Sequence, residues 1–309
     1  MSKIWDTIVI GGSAAGLSAA LMLGRSRRST LVIDNQKPRN RFADHMHGVL
    51  GHEGRPPQDL INNGREEAAQ YGVEFLDGTV IRVTEDNENL TVTTDSSEQK
   101  ARTIIVATGI TDQLPDIKGI EERWGKTILH CPYCHGYEFK DRKIGVLAMN
   151  PMALHQVHLV RQLTDDVTLF AANAGPLTEA DISKLEAQNI NIVMDEVQEI
   201  SGQATAHTAN SRTELDAIFT AATLIPHDTF LKDLNLKRQD APMNIGSFLA
   251  VDQMGKTSHD RIWAAGNVVN PMANVPISMS AGTQAGAVVN AALVEMDIRA
   301  KLLTSNKAL

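Results

Sequence analysis

Residues 130–138 read His130-Cys131-Pro132-Tyr133-Cys134-His135-Gly136-Tyr137-Glu138 and contain both cysteines of the chain. Two thiols at this spacing can close a small redox-active disulfide, and flanking imidazoles can stabilise a thiolate or carry protons. Three other chemistries fit parts of the run. Cys131, Cys134 and His135 match C-x-x-C-H, the attachment pattern of c-type haem. That attachment belongs outside the cytosol, and haem leaves the rest of the chain unexplained. His130, Cys131, Cys134 and His135 also resemble a four-ligand zinc set, but adjacent residues rarely reach one tetrahedral ion and no second C-x-x-C or H-x3-H pair follows. Inert buried thiols are the third alternative; the intervening Pro132-Tyr133 argues instead for a constrained turn. Redox chemistry is the favoured reading and no metal is expected.

A redox pair needs elements to hold it and a carrier for its electrons. Thr7–Ile10 is a β-branched, apolar run suited to a buried parallel strand. Gly11-Gly12-Ser13-Ala14-Ala15-Gly16 then opens an Ala/Leu-rich helix to about Gly24, and Thr30–Ile33 is a second strand ending in Asp34, 23 residues beyond Gly11. Strand, glycine turn, helix, strand and acid follow in the order of a dinucleotide-binding unit. Backbone N–H groups and the helix N-terminus meet pyrophosphate, and the acid accepts ribose hydroxyls. Ser13 replaces the middle glycine of the usual fingerprint; it is small enough for close approach, and its hydroxyl is expected to cap the helix. A secretory h-region is the competing reading of Thr7–Leu23. Three internal glycines, a single preceding Lys3 and the following Arg25, Arg27 and Arg28 weigh against it.

Further on, Glu74-Phe75 and Leu90–Thr93 read as strands of a small antiparallel insertion, and Thr103–Ala107 as a buried strand leading into Thr108-Gly109. Arg261–Asn267 is another strand running into a glycine, Gly266. Ser278–Leu293 reads as a helix of small residues, with Pro271 and Pro276 punctuating its approach. Glycines after two distant strands bring the chain's two end segments into one ligand-binding sheet. Residues 1–114 and 245–309 are therefore expected to form one discontinuous domain, and 115–244 an inserted second domain that carries the cysteines.

Composition agrees with this division. A chain of 309 residues with 42% apolar and 21% charged residues is an ordinary globular sequence long enough for two domains, neither disordered nor collagen-like. A net charge of −8 without a Lys/Arg-rich block argues against nucleic acid as a partner, as does an aromatic content of 4%, too low for a base-stacking platform. No run reaches the ~18 to 20 uninterrupted apolar residues of a membrane span. The expected setting is cytoplasmic, with no membrane partner.

Four ordered features, Gly11–Gly16 with Asp34, Ala107-Thr108-Gly109, Cys131-Pro132-Tyr133-Cys134 and Ala264-Ala265-Gly266-Asn267-Val268, resemble the thioredoxin reductase family of FAD-dependent disulfide oxidoreductases over essentially the whole length. The resemblance implies an α/β homodimer of two Rossmann-like nucleotide-binding domains, each a three-layer ββα assembly, with the second inserted in the first. It implies FAD held by Gly11, Gly12, Ser13, Ala14, Ala15, Gly16, Asp34, Ala107, Thr108, Gly109, Gly266 and Asn267. It makes Cys134 the flavin-facing thiol and Cys131 the one that exchanges with a substrate. Where the family usually has an acid/base Asp after the second cysteine, this chain has His135, which can do that work nearer neutrality. A hydrogen bond within its own turn is the alternative role for His135.

The departures from that pattern are informative. Strand Ile144–Leu147 leads into Ala148-Met149-Asn150-Pro151-Met152-Ala153, without the glycines of the family's second, NADPH-binding turn. Met149 and Asn150 are expected to obstruct a pyrophosphate, and Pro151 lacks an N–H donor. Strand Val167–Phe170 leads into Ala171-Ala172-Asn173 where the family has a His-Arg-Arg-type cluster for the 2′-phosphate, and a Gly-containing turn is replaced by Leu224-Ile225-Pro226-His227. Asn267 stands for an Asp and is expected to bond a ribityl hydroxyl; Val275-Pro276 replaces an Arg-Gln pair. Dithiol oxidases of the gliotoxin and holomycin type look similar in their G-G-S-x-A-G opening, C-P-x-C-H-G centre and eroded nicotinamide site. The expected function is an FAD-dependent dithiol/disulfide oxidoreductase that does without NADPH, drawing on oxygen or another electron partner. Its substrate is a small-molecule dithiol or a thioredoxin-like protein, with Tyr133 and Tyr137 lining the groove or packing. The alternatives are an NADPH-dependent thioredoxin reductase and a flavin-binding redox sensor without turnover.

Overall fold

The structure, a computed structural model, describes residues 3–86, 88–241 and 245–306. The chain opens with β1 (Ile4–Ile10), α1 (Ala14–Arg25), β2 (Thr30–Asp34), α2 (Pro57–Ala69) and β3 (Glu74–Asp77). β1 pairs in parallel with β2, and β2 with β3. β3 is therefore an edge strand of the main sheet, not part of the expected antiparallel insertion; the helical crossover through α2 returns it in the same direction as β2. A meander follows, β4 (Val80–Glu85), β5 (Leu90–Thr94) and β6 (Glu98–Val106), antiparallel throughout. β6 also lies parallel to β1, which ties the meander to the main sheet. β7 (Ile110–Gln113) leads onward.

The middle of the chain comprises β8 (Ile128–Leu129), α3 (Pro132–His135), β9 (Ile144–Leu147), α4 (Met152–Val160), β10 (Val167–Phe170), α5 (Glu179–Ala187) and β11 (Asn191–Val193), then a second meander, β12 (Glu199–Ser201), β13 (Thr205–His207) and β14 (Arg212–Thr213), and β15 (Ala217–Thr220). Its parallel sheet runs β11-β10-β9-β15-β8. The last segment holds β16 (Thr223–Pro226), which pairs with β7, then β17 (Arg238–Asp240), β18 (Ser247–Leu249), β19 (Ile262–Ala264) and α6 (Val275–Asn306). β19 joins β6 in parallel. α6 is longer at both ends than the expected Ser278–Leu293, and Pro276 sits inside its first turn, where a missing N–H is harmless.

Two compact units result. One comprises the chain up to Arg39, Gln58–Thr111 and Leu224 onward; the other comprises Asn40–Pro57 and Asp112–Thr223. The expected boundaries are corrected on two counts. Residue 244, the expected end of the insert, lies outside the described residues, and the division falls instead at 223/224. Residues 40–57, a loop without periodicity, belong to the inserted unit, where Phe42 lies against Gly125.

Each unit has three layers, because alternate strand residues face opposite ways. In the first, Ile8, Ile10, Ile33 and Val106 pack against meander residues Val83, Leu90 and Val92. Val9, Val32, Ile105 and Trp263 face α1 and α6. In the second, Val146, Leu169 and Phe219 face α4 and α5, while Leu147, Phe170 and Ile218 face Ile200, Ala204 and Ala206 around the meander. Full burial of each such side chain contributes roughly 1.5 to 3 kcal/mol. By length and composition, Val275–Thr304 of α6 is apolar enough to cross a membrane. Its Ala285, Val289 and Leu293 are instead in the core beside α1, the placement of a core helix.

Candidate functional site

The turn between β1 and α1 is shaped by what a side chain would strike. Gly11 has φ +105°, and a Cβ there would lie 2.4 Å from the Ala107 carbonyl oxygen; a Cβ on Gly16 would lie 1.8 Å from that of Gly11. The Gly12 N–H donates to Asp34 Oδ1 at 2.9 Å, so the acid at the end of β2 braces the turn directly. Ser13 takes the N-cap position, but its hydroxyl makes no capping bond, contrary to expectation; its extended backbone provides the cap geometry and its carbonyl accepts from Leu17 N–H. Ala14 and Ala15 begin α1, and Gly266 (φ +78°) lies against Ala15.

Beside this turn is a cleft of about 200 Å³ lined by Gly12, Ser13 and Asp34 and, from α2, by Gln58, Asn62 and Arg65. The Arg65 guanidinium is 4.0 Å from Asp34 and 4.5 Å above the Phe75 ring. Backbone kept bare by glycine, an acid at the end of the second strand and a polar wall match the pyrophosphate and ribose of a dinucleotide, so these residues fit FAD. The α2 residues went unread in the sequence, although their i, i+4, i+7 spacing marks one helix face.

Thr108 and Gly109 take a different part from the glycine turn. The Thr108 hydroxyl donates to the His227 carbonyl at 2.6 Å, and Gly109 has φ +69°. His227 Nδ1 donates to the Thr108 carbonyl, its Nε2 accepts from the Thr111 hydroxyl, and its N–H donates to the Gly109 carbonyl. The segment that departs from the family turn thus clamps residues 108–111, at the start of β7, through a histidine. Asn267 is also a clamp: its Nδ2 donates to the carbonyls of Asn270, Pro271 and Ala273 at 3.1, 3.2 and 2.8 Å. The amide donors thus hold the loop before α6, which a carboxylate could not do, and the Oδ1 acceptor is the atom that would meet a ribityl hydroxyl.

In the other unit, the N–H groups that open α4 are engaged within the turn that precedes it. Met152 N–H donates to Asn150 Oδ1 at 2.9 Å, Ala153 N–H to the Asn150 carbonyl, and Leu154 N–H to the Pro151 carbonyl. Pro151 has no N–H to offer. Met149 packs inward onto the core. A Cβ on Gly175 would be 3.7 Å from Pro151 Cγ, so the loops after β9 and β10 lie against each other. Asn150 acts by sealing the helix end more than by its bulk.

The cysteines sit on the shortest helix. Cys131 is the N-cap of α3, Pro132 its first residue, and Cys134 its third; the N–H groups of Cys134 and His135 both point at the Cys131 carbonyl, at 3.1 and 3.2 Å. N-cap and third residues face one another in a helical first turn, which is why two intervening residues bring two sulfurs together. Gly136 must be glycine, as a Cβ would lie 2.3 Å from the Pro132 carbonyl and 2.5 Å from Leu163. Both thiols are partly exposed, and Tyr133 and Tyr137 are 78% and 67% exposed, so these tyrosines are not packing residues. Among the described residues no group of His, Cys, Asp and Glu is arranged to hold a metal.

His135 is partly buried. It donates to the His45 carbonyl, and its Nε2 is a buried atom without a hydrogen-bond partner, which makes Nδ1 the donor. Burial pushes its pKa below the ordinary 6.5, opposed by Glu138 and the His45 bond and assisted by His47. The 40–57 loop supplies these neighbours. His47 stands edge-on to His135 at 6.2 Å between ring centroids, with Nδ1 2.7 Å from Glu53 and Nε2 3.5 Å from Glu138. The Glu53 carboxyl is held below its usual range by His47 and then by the Gly48 N–H. Nothing in the periodicity of the loop pointed to these residues.

Comparison with known proteins agrees with this geometry. The family model for pyridine nucleotide-disulphide oxidoreductases matches residues 5–286. Thioredoxin reductase sirT of Leptosphaeria maculans is 30% identical over 326 aligned positions, covering 97% of each chain. Among solved structures, HlmI superimposes with a TM-score of 0.93 at 35% identity, covering 100% of this chain and 99% of its own. An oxidoreductase from Agrobacterium tumefaciens gives 0.90 at 34% identity, covering 94% and 99%. With a glycine cradle in one unit and a C-x-x-C helix in the other, the chain belongs to the pyridine nucleotide-disulphide oxidoreductase family, among its thioredoxin reductase-like members, and is a flavin oxidoreductase acting on disulfides.

Proposed function

We propose that the protein is an FAD-dependent dithiol oxidase that turns over without NADPH, converting a small-molecule dithiol to its disulfide with oxygen as final electron acceptor. The observation that carries this reading is the turn after β9. Its helix-end N–H groups are bonded within the turn or, at Pro151, absent, so the α4 end offers no free donor to a pyrophosphate. The similarity to HlmI and to sirT, each over nearly the whole chain, supports it further. The family resemblance is also the basis for a homodimer in the cytoplasm.

The chemistry assigns three side chains. A substrate thiolate attacks Cys131 of the enzyme disulfide, the Cys131–Cys134 bond breaks, and Cys134 leaves as a thiolate that is protonated by His135. The second substrate thiol, deprotonated in turn, attacks the substrate sulfur of the mixed disulfide and releases Cys131. Two electrons have then passed from substrate to enzyme. FAD, cradled by Gly11–Gly16 and Asp34, supplies when bound the two-electron acceptor that lets the cysteines return to the disulfide. The neutral His135 ring, whose buried Nε2 has no hydrogen-bond partner, is the form that can take up the proton released in the exchange.

Anaerobic titration of the yellow enzyme tests this reading. Dithiothreitol should bleach the flavin while NADPH should not, and Cys134→Ser should retain flavin but lose turnover. Rapid bleaching by NADPH would favour the second reading, an NADPH-dependent thioredoxin reductase acting on a thioredoxin-like protein, which the names of relatives such as sirT support. Oxidation that stops at one equivalent of dithiol would point to a sensor.

A further inference from the structure

The loop of residues 40–57 carries His45, His47 and His52 and lies in the same unit as the redox helix. It is drawn into a narrow hairpin by Met46 N–H donating to the Arg55 carbonyl and Gly54 N–H to the Met46 carbonyl, at 2.9 and 3.0 Å. Two of its groups reach His135: the His45 carbonyl, which receives the imidazole N–H, and the His47 ring, which meets the His135 ring at 87°. His47 is gripped at both nitrogens, by Glu53 from the loop and by Glu138 from the turn after α3. Glu53 is braced in turn by Gly48 N–H at 2.8 Å. A ring held at both nitrogens has a fixed orientation, and so does the ring stacked edge-on against it.

We propose that His47, clamped between Glu53 and Glu138, is a positioning residue for the thiol–disulfide exchange, fixing the His135 ring so that Nε2 takes up and returns the exchange proton. His47 itself touches neither sulfur nor substrate in this role. The proton balance is closed. His135 Nε2 accepts the proton of the incoming substrate thiol, the thiolate forms a bond to Cys131 as the Cys131–Cys134 bond breaks, and Nε2–H returns that proton to the Cys134 thiolate. The titratable groups that act on His135 are His45, whose carbonyl binds it, His47, which opposes a positive charge on the ring, and Glu138, which favours one. This inference rests on His135 being the acid/base of the exchange.

The test is done on flavin-loaded protein with histidine labelled at Cε1. The His135 ring resonance is assigned by its loss in His135→Gln and followed through a pH titration, alongside kcat/KM for dithiothreitol oxidation. His47→Gln should raise the His135 midpoint and lower kcat/KM at about pH 5.5 by roughly three-fold. Glu138→Gln should lower the midpoint and, because it opens one side of the clamp, lower kcat/KM by roughly three-fold at about pH 8, where the His135 ring is neutral in both proteins. Midpoints that stay put, or that move the same way in both variants, overturn the positioning role. Midpoints that move oppositely while the kinetic acid limb stays fixed show that His135 is not the acid/base, and overturn the positioning role along with that reading.

Discussion

Both units run a parallel strand into a turn and a helix, and the two turns offer opposite chemistry at equivalent places. After β1, glycines keep the backbone bare, Gly12 N–H is braced by Asp34, and a polar cleft opens beside it. After β9, Asn150 and Pro151 close the helix end with bonds of its own, and the loop after β10 lies against it. The strands and helices around the two turns are equally well buried: Val9 and Ala19 on one side, Val146 and Val157 on the other. A nucleotide fold is held by the packing of its layers, whereas its ligand is held by a few backbone donors. The donors can therefore be lost while the layers stay. What the second unit retains is a platform for α3 and its histidine neighbours.

The comparison can be broken most forcefully at Gly16. Gly16→Ala puts a methyl group against the Gly11 carbonyl, so the purified protein should be colourless and about 1 to 3 kcal/mol less stable to urea. A variant with a normal flavin spectrum would mean that the cradle lies elsewhere. The next largest effect belongs to the second unit. Burial holds His135 below 6.5, so its neutral form persists through neutral pH. Exchange should be flat around pH 7 and should fall, by about ten-fold per pH unit, only on the acid side of 6.5. A pH–rate profile whose acid limb lies above neutrality would contradict this. Asp34→Asn keeps an acceptor for Gly12 N–H but removes the charge that ribose hydroxyls donate to. Flavin binding measured by fluorescence should weaken roughly ten-fold, about 1.4 kcal/mol. The smallest effect is at Asn150. Asn150→Ala frees one N–H at the α4 end, with a stability loss of roughly 0.5 to 1 kcal/mol in a thermal melt. NADPH should still leave the flavin oxidised, because Ala171-Ala172-Asn173 offers no cation. Bleaching in this variant would reduce the contrast between the turns to a single hydrogen bond.

Much of this was legible in the chain itself. Ile4–Ile10, Thr30–Asp34, Ile144–Leu147 and Val167–Phe170 are short apolar runs, and strands buried on both faces leave that mark. The spacing of Cys131 and Cys134 pointed to a redox pair, and the intervening Pro132-Tyr133 to a constrained turn. β3 was misread because Glu74 and Asp77 are exposed at a sheet edge, where a parallel strand looks like a half-solvated antiparallel one. The Asn150 seal was readable in principle, since an Asn two residues before a helical N–H, followed by Pro, is a turn former. His45 and His47 were not readable. Their meaning lies in contact with His135, far along the chain, and no local period announces such a contact.

The packing of α6 on α1 bears on the order of events during synthesis. A Cβ on Gly282 would lie 1.9 Å from the Ala15 carbonyl, and one on Gly286 2.6 Å from that of Ala19. The helix that opens from the glycine turn is thus closed over by a helix made only after the whole inserted unit, and β19 reaches β6 at nearly the same late moment. Until then the Ala-rich face of α1 has no cover, and β6 lacks one of its neighbours. The discontinuous unit is therefore the later of the two to mature. The inserted unit can form its sheet while the rest is still being translated, and shortened products ending before α6 are the ones most exposed to aggregation and proteolysis.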